Sequence, residues 1–395
     1  MNVLLIGGTG VLSSAVTKEA LLQGVNVTMI NRGLHSQSLP ENVEIIKTDK
    51  KNYDYIKRML QGRTFDAVID FLCLSDKDTV DSFNLYKNFT QQYLFISSCA
   101  VYDTRTCEIC SENSLKVLPI WDYSVKKWKS ELQLMQLAKD ANIHYTVIRP
   151  CVTYGDTRIP YGISPQYGYH WTLAARILAG KPIIRWNKGI NRCNMTHVDD
   201  FAVGVVGLIG NPKAYNEAFN ICGEECPSFN DVLDIVAKYL DKEVIFFDVT
   251  SEEYAKELPT RSGEILGGRS IDAINSNEKI KFVVPAFKQT ISLRDGICQT
   301  LDAYKSQNFQ RGIDWIFDAD TDRIIKKYAK KRGTDAKEYN LQFVDYLRTA
   351  SKSDRLIYWL EFHKDNKLVF ILKKFMSYSS RIINKIPLVS TKKTK

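Results

Sequence analysis

The first 23 residues constrain the fold more than any other stretch of the chain. Residues 3–6 form a short apolar run, Gly7, Gly8 and Gly10 follow at once, and residues 11–23 repeat apolar side chains at helical spacing. Glycines let a bound group approach the backbone closely, and the start of a helix offers free N–H groups and the positive end of its dipole. This strand–turn–helix order is typical of a site for the phosphates of a dinucleotide.

Apolar runs that favour strands alternate with amphipathic stretches that favour helices through the first 150 residues. The predicted strands are residues 3–6, 25–30, 43–46, 67–70, 93–97 and 144–149. Helical periodicity is clearest at residues 11–23, 52–61 and 124–138. Because such alternation builds right-handed βαβ units, we predict an α/β fold with a Rossmann-like, doubly wound parallel sheet.

The chain divides into three predicted parts. Residues 1–155 form the dinucleotide-binding domain, residues 156–320 a smaller α/β substrate-binding lobe with segments that return to the sheet, and residues 321–395 a helical C-terminal extension. Within the lobe, the pattern predicts a helix at 171–179, a strand at 218–222 and a helix at 228–240 capped by Ser228.

The formal net charge of +9 is concentrated at one end of the chain. Residues 364–395 hold nine Lys or Arg residues and one Asp, so the rest of the chain is close to neutral. A protein that follows a nucleic-acid backbone needs a broad basic surface. We therefore do not expect nucleic acid as a partner.

The same C-terminal segment has a helical stripe of apolar residues flanked by basic ones. The apolar positions are Leu368, Ile371, Leu372, Phe375, Met376, Ile382, Ile383 and Ile386. The basic positions are Lys367, Lys373, Lys374, Arg381 and Lys385. This tail over 364–395 suits a helix lying on an anionic membrane surface. Packing against the body of the protein or against a second subunit is the alternative.

No apolar stretch reaches the roughly 20 residues needed to span a bilayer, and the start of the chain lacks the pattern of a signal peptide. We therefore expect a cytoplasmic protein, with peripheral contact at the inner membrane surface as a further expectation from the tail.

Cys107 and Cys110 have the spacing of some zinc and redox sites. No second pair of Cys or His residues stands at a matching distance in the sequence. We expect no metal site and predict that the nine cysteines are reduced thiols.

Three side chains of the first domain point to acid–base chemistry. Tyr123 and Lys127 are four residues apart in a helical pattern, and therefore lie on one helical face. A nearby ammonium lowers the cost of ionising a phenol, whose ordinary pKa is about 10. Ser98 follows the predicted strand at 93–97, at the carboxyl end where doubly wound sheets place ligands. A surface Tyr–Lys pair and a turn-capping serine are the alternatives.

In these features the chain resembles the extended short-chain dehydrogenase/reductase superfamily, and within it the nucleotide-sugar epimerase/dehydratase branch. The resemblance is carried by Tyr123, Lys127 and the segments 7–10, 97–102, 149–155 and 197–200. Residues 180–182, 219–221 and 284–285 are similar to a less characterised epimerase-like group that also includes chloroplast RNA-associated proteins.

The resemblance implies an NAD(P)-dependent enzyme that transfers a hydride reversibly at a hydroxyl-bearing carbon of a nucleotide sugar. In that role Tyr123 is the general acid/base, Lys127 tunes it and holds the cofactor ribose, and Ser98 polarises the reacting oxygen. Arg192 is the candidate for a substrate phosphate, although it lies one position from the usual spacing to His197. A homodimer formed through helical faces is a further expectation. The implied cofactor contacts are Gly7, Gly8, Thr9, Gly10, Val11, Leu12, Asn31, Arg32, Asp49, Ser97, Tyr123, Lys127, Pro150 and Val152.

Departures from the family pattern refine this interpretation. Ser13 replaces the usual third glycine and is small enough for close packing. Asn31 and Arg32 replace the carboxylate that binds an NAD ribose, which slightly favours NADP. Cys99 and Ala100 replace the acidic pair of sugar dehydratases, which favours a 4-epimerase-like reaction first and an NADPH-dependent keto-sugar-nucleotide reductase second. A non-catalytic nucleotide- or RNA-binding protein of this fold is the remaining alternative.

His197 precedes two acidic residues and a helical run. We predict a structural role for it, with Asp199 or Asp200 as the N-cap of the helix.

Overall fold

A seven-stranded parallel sheet organises the computed structural model, which describes residues 1–33, 42–117, 120–309, 312–341 and 350–373. The strands are β1 (Asn2–Ile6), β2 (Asn26–Asn31), β3 (Glu44–Lys47), β4 (Ala67–Asp70), β5 (Gln92–Ile96), β6 (His144–Pro150), β7 (Val152–Tyr154), β8 (Ile183–Trp186), β9 (Met195–His197), β10 (Glu217–Ile221) and β11 (Phe246–Val249). The large sheet has the order β10-β6-β5-β4-β1-β2-β3, and the pairs β7–β9 and β8–β11 form two small parallel sheets.

Helices cover both faces of the large sheet and build the lobe beside it. They are α1 (Val11–Leu22), α2 (Tyr53–Leu60), α3 (Asp76–Tyr86), α4 (Asp122–Ala141), α5 (Trp171–Leu178), α6 (Val198–Val206), α7 (Phe229–Leu240), α8 (Ser251–Glu257), α9 (Ser262–Glu264), α10 (Glu278–Val283), α11 (Leu293–Ser306), α12 (Trp315–Lys331) and α13 (Lys352–Phe362). A turn of π-helix follows α9 at Ile265–Arg269.

The strand order places the reversal of winding between β1 and β4. In register, Ile6 at the end of β1 pairs with Ile30 of β2 on one side and Asp70 of β4 on the other. Chain segments leave these two strand ends in opposite directions, which opens a crevice at the carboxyl edge of the sheet. This confirms the doubly wound, Rossmann-like fold predicted from the sequence.

Each face of the sheet has its own apolar core. Helices α1 and α6 bury residues such as Val16 and Phe201 against one face. Helices α2, α3 and α4 bury Ile56, Phe83 and Leu134 against the other. Strands buried on both faces read as continuous apolar runs, which is why the strands were predictable from the sequence.

Buried ion pairs connect the lobe to the C-terminal helices. Arg176 and Lys181 contact Asp318 and Asp322 of α12 at 2.5–2.9 Å, and all four side chains are fully buried. Tyr358 of α13 donates a hydrogen bond to Asp322 at 2.6 Å. The boundary drawn at residue 320 falls inside α12, because the buried face of this helix belongs to the lobe core.

The prediction of reduced thiols is wrong for two cysteines. Cys107 and Cys110 form a disulfide, since the turn between them brings their Cα atoms to 5.5 Å. The other seven cysteines are free. Within the described residues, no group of three or more His, Cys, Asp or Glu side chains is placed to hold a metal ion. None of the described helices is long and apolar enough to cross a membrane.

Candidate functional site

The glycine turn between β1 and α1 has a backbone that other residues would strain. Gly7 and Gly8 have φ angles of +108° and +107°, a region that L side chains rarely adopt. A Cβ atom on Gly8 would also lie 2.3 Å from the side chain of Met29. Gly7 and Gly8 are buried, whereas Gly10, the N-cap of α1, is exposed. The exposed end of the turn therefore lies at the helix N-terminus, where a dinucleotide diphosphate would bind.

Ser13 takes over part of the structural role of the missing third glycine. Its hydroxyl accepts a hydrogen bond from the Gly10 N–H at 2.9 Å, and its side chain is buried. The Ser14 hydroxyl donates to the Gly10 carbonyl at 2.6 Å. Serine at this position therefore fits the close packing and also ties the turn to the first turn of α1.

A cavity of about 480 Å³ lies over this turn, and we call it the glycine-turn cavity. One wall is the stretch 7–13. Residues of the lobe also line it, including Arg158, His170, Arg261 and Glu264. The position of this cavity over the glycine turn and the start of α1 suits the dinucleotide that the sequence implies. Gly7, Gly8, Thr9, Gly10, Val11 and Leu12 all line this cavity, as expected for its diphosphate.

A second cavity of about 460 Å³ continues from the first, and we call it the reaction cavity. Ser98, Tyr123 and Lys127 line it together, although they come from separate parts of the chain. Pro150 and Val152, two of the implied cofactor contacts, line it as well. The two cavities share the residues Leu12, Phe71, Ile96, Arg158 and Glu264.

Lys127 is fixed at the carboxyl edge of the sheet. Its ammonium donates hydrogen bonds to the carbonyl oxygens of Cys73 and Ile96, at 2.7 and 2.8 Å. The residue is 4% exposed, and burial lowers the pKa of its side chain to about 8. An ammonium has three donors, so one hydrogen remains for a ligand in the cavity.

Tyr123 stands one helical turn before Lys127 at the start of α4. Burial raises the pKa of its phenol, whereas the Ser98 hydroxyl and the Arg158 and Arg269 guanidinium groups lower it. Ser98 itself is held by a hydrogen bond that its hydroxyl accepts from the Ala100 N–H, at 3.1 Å. Ser98, Tyr123 and Lys127 therefore lie together at one cavity.

The structure places the other predicted cofactor residues at the ends of the strands. The Asn31 side-chain oxygen accepts from the Gly33 N–H at 2.7 Å, and the Arg32 side chain is exposed. Asp49 is exposed after β3. Ser97 lines the reaction cavity, and its hydroxyl donates a hydrogen bond to Glu131 at 2.5 Å.

Two arginines of the reaction cavity were not predicted from the sequence. Arg158 and Arg269 line it, while Arg192 is not among its lining residues and pairs with Asp272 at 3.3 Å. Nothing in their local sequence distinguishes Arg158 and Arg269, because the fold of the lobe brings them to the cavity.

His197 has a structural role, as predicted, but the predicted cap is wrong. His197 is itself the N-cap of α6, and its Nδ1 atom accepts from the Asp199 N–H at 3.3 Å. Asp199 and Asp200 lie in the first turn of the helix, where carboxylates interact favourably with the helix dipole.

A model of the NAD dependent epimerase/dehydratase family matches residues 3–222. The chain belongs to this family. It is 24% identical over 346 residues to the chloroplast stem-loop binding protein of 41 kDa b from Arabidopsis thaliana, covering 82% of this chain and 84% of that protein. It is 20% identical over 258 residues to the 2'-dehydrokanamycin reductase of Streptomyces kanamyceticus, covering 65% of this chain and 72% of that protein. The same fold is seen in the structure of the UDP-glucuronic acid 4-epimerase of Bacillus cereus in complex with UDP-glucuronic acid and NAD. The TM-score is 0.63 at 19% sequence identity, and the match covers 78% of this chain and 99% of that chain.

The buried ammonium of Lys127 generates a prediction about stability and pH. Its folded pKa of about 8 lies below the ordinary value of 10.5, so the unfolded chain binds more protons between these values. The contribution of Lys127 to the free energy of unfolding should therefore rise with pH from 8 to about 10.5, by at most about 1.4 kcal/mol per pH unit.

Urea unfolding of the wild type and Lys127→Met from pH 6 to 10 measures this contribution as the difference between the two proteins. We expect a constant difference below pH 7 and an increasing one above pH 8. Lys126→Met, on the exposed side of α4, is the matched control and should not reproduce the slope. A difference that stays constant up to pH 10 would contradict the burial of the charge.

Proposed function

We propose that the chain is a nucleotide-sugar epimerase-like enzyme that depends on NAD(P) and uses Ser98, Tyr123 and Lys127. The observation that carries this proposal is the convergence of the three side chains on a cavity that continues from the glycine turn. Their chemistry matches reversible oxidation of a sugar hydroxyl group. Solved structures of similar fold include UDP-sugar epimerases with NAD.

Each of the three residues has a distinct task. The Tyr123 phenolate accepts the proton of the sugar hydroxyl as that carbon is oxidised to a ketone, and the phenol returns the proton on reduction. The Lys127 ammonium stabilises the phenolate electrostatically and donates to the cofactor ribose. Ser98 donates to the reacting oxygen and orients it. When bound, the nicotinamide cofactor supplies the hydride chemistry.

Two other functions remain as alternatives, each with an observation in its favour. Reduction of a keto-sugar nucleotide would use the same residues with net consumption of NADPH, and a curated relative is a reductase. A relative named for stem-loop binding favours a non-catalytic nucleotide- or RNA-binding protein. We rank the epimerase-like reaction first and the reductase second. The near-neutral body of the chain counts against a broad nucleic-acid surface.

Incubation with UDP-, GDP- and dTDP-sugars and NAD(P) distinguishes the epimerase reaction from the reductase reaction. We expect redox-neutral inversion at a sugar carbon for an epimerase, and stoichiometric loss of NADPH with a keto sugar for a reductase. Tyr123→Phe should lower turnover by about 10²–10⁴-fold because it removes the acid/base, while dinucleotide affinity stays within about threefold. Turnover that survives Tyr123→Phe would contradict the proposed role of the phenol.

We further propose a modest preference for NADP over NAD. Asn31 ends β2 without a carboxylate, and the exposed side chain of Arg32 follows it. A guanidinium attracts a 2′-phosphate that a carboxylate would repel. Titration with both dinucleotides should give tighter binding of NADP, and Arg32→Gln should reduce this difference. At least tenfold tighter binding of NAD by the wild type would contradict the preference.

The C-terminal stripe is proposed to contact an anionic membrane surface. Leu368 and Ile371 are 77% and 63% exposed, and Leu372 is also exposed, so the described part of the stripe does not pack on the body. The remaining stripe positions, Phe375, Met376, Ile382, Ile383 and Ile386, lie outside the described residues, as do Lys374, Arg381 and Lys385. Exposed apolar side chains next to basic ones suit the lipid headgroup region.

Flotation with vesicles tests this contact. The full chain should float with vesicles containing phosphatidylglycerol and much less with pure phosphatidylcholine, and Leu368→Glu with Ile371→Glu should abolish flotation. Leu22→Glu is the control, because Leu22 is an 81% exposed apolar residue on α1. Equal flotation of the double variant and the wild type would reject the membrane role, and loss of dimer in the variant by sedimentation would assign the stripe to a second subunit.

A further inference from the structure

A buried carboxylate lies behind the turn that holds Lys127. It belongs to Asp70, the last residue of β4, which is 1% exposed. The carboxylate accepts hydrogen bonds from the Leu72 N–H at 2.7 Å, from the Cys73 thiol at 3.1 Å and from the Tyr93 hydroxyl at 2.9 Å. The Ser82 hydroxyl is a fourth donor. Four donors around one carboxyl group favour its ionised form, which only accepts.

The negative charge of Asp70 has no cation in direct contact. All four of its hydrogen-bond donors are neutral groups. Among the described residues, no Lys, Arg or His side chain forms an ion pair with this carboxylate. A buried charge without an opposite charge nearby is unfavourable, because burial removes its hydration.

Lys127 has the opposite imbalance on the other side of the same turn. Its ammonium donates to the carbonyl oxygens of Cys73 and Ile96, and these are neutral groups too. The ammonium also lies 5.0 Å from the centre of the Phe95 ring. In the described part of the chain, Lys127 forms no ion pair with a carboxylate. In an interior of low dielectric constant, an anion stabilises such a cation even beyond contact distance.

Cys73 connects the two charges. Its thiol donates to the Asp70 carboxylate, and its carbonyl oxygen accepts from the Lys127 ammonium. Burial and the charge of Asp70 raise the pKa of this thiol, so it remains a neutral donor at physiological pH. A single residue therefore separates the buried anion from the buried cation.

Two other carboxylates near Lys127 already have cation partners. Glu131, on the same helix, pairs with Arg149 of β6 at 2.6 Å. Asp78 of α3 lies 3.5 Å from the ammonium of Lys50, and both side chains are partly exposed. These partners offset much of the negative charge that Glu131 and Asp78 present to Lys127.

Asp70 therefore remains as the buried carboxylate whose charge is available to Lys127. The ring of Tyr123, whose centre lies 6.0 Å from the Lys127 ammonium, belongs to a phenol that is neutral until it gives up its proton. Burial lowers the pKa of Lys127, and Asp70 is the first carboxylate that opposes this effect.

We propose that Asp70 is a positioning residue of the site, whose buried charge acts across Cys73 to keep Lys127 an ammonium at the carboxyl edge of the sheet. The charge relation stands on the contacts of these three residues. Its consequence for turnover rests on the proposed function, in which the ammonium stabilises the phenolate of Tyr123.

Urea unfolding between pH 6 and 10 measures the titration of Lys127 without a substrate. The readout is the pH at which the difference in unfolding free energy caused by Lys127→Met begins to change. This onset is determined in the wild type and in Asp70→Asn. Loss of the carboxylate lowers the folded pKa of Lys127 and leaves its unfolded pKa unchanged, so the onset should move to lower pH, by about one pH unit.

Asp66→Asn is the matched control, because exposed Asp66 immediately precedes β4, at the opposite end of the strand. It should leave the onset unchanged. Asp70→Ser is a second neutral variant, and its hydroxyl can still accept from the Leu72 N–H. An onset that stays at the wild-type pH in a folded neutral variant would overturn the proposal.

Failure of both neutral variants to fold is also decisive. In that case Lys127→Met should restore folding, because it removes the cation that has lost its anion. Variants that stay unfolded after Lys127→Met would overturn the proposal, since Asp70 would then be required for the structure of the turn and not for its charge.

The pH dependence of kcat on a nucleotide sugar that the protein converts tests the consequence for turnover. In Asp70→Asn, kcat should begin to fall at a lower pH than in the wild type, because Lys127 loses its proton earlier. An unchanged kcat profile in a variant whose unfolding onset has moved would contradict this consequence. A moved onset in a protein that converts no nucleotide sugar would support the charge relation and count against the proposed function.

Discussion

The site depends on one buried charge, the Lys127 ammonium, held between the carbonyl groups of Cys73 and Ile96. These two carbonyls lie at or just beyond the ends of β4 and β5, so the lysine fixes the start of α4 to the carboxyl edge of the sheet. Tyr123 is carried one helical turn earlier on the same helix, and Ser98 follows β5 on the neighbouring chain segment. The geometry of the proposed acid–base site therefore follows from the attachment of one helix to two adjacent strands.

The turn that Lys127 contacts is itself well anchored. The Asp70 carboxylate at the end of β4 accepts hydrogen bonds from the Leu72 N–H at 2.7 Å, from the Cys73 thiol at 3.1 Å and from the Tyr93 hydroxyl at 2.9 Å. Next to Ser98 in the chain, the Ser97 hydroxyl donates a hydrogen bond to Glu131, which pairs with Arg149 in the protein interior. Rigid supports of this kind pre-organise an acid–base group and lower the cost of reaching the reactive geometry.

The sequence predicted the elements around the glycine turn well because their patterns are local. The β1–turn–α1 unit, the β5 segment before Ser98 and the Tyr123–Lys127 spacing each lie within a few residues, and Ser228 caps α7 as predicted. The lobe was less predictable, because Arg158 and Arg269 meet only through tertiary packing. The boundary at residue 320 missed the ion pairs of α12 for the same reason, since Arg176 and Asp318 are far apart in sequence. The Cys107–Cys110 disulfide was misjudged because the spacing alone does not separate a disulfide from two thiols.

The central claim is that this site transfers a hydride at a sugar carbon, and the fate of deuterium at that carbon tests it most directly. A nucleotide sugar that the protein converts is prepared with deuterium at each ring carbon in turn and incubated in ordinary water, and product and dinucleotide are analysed by mass spectrometry. The account predicts that deuterium at the reacting carbon stays with the sugar or passes to the dinucleotide. Its release into water would contradict the account, because it would mean that a base removes a proton from carbon.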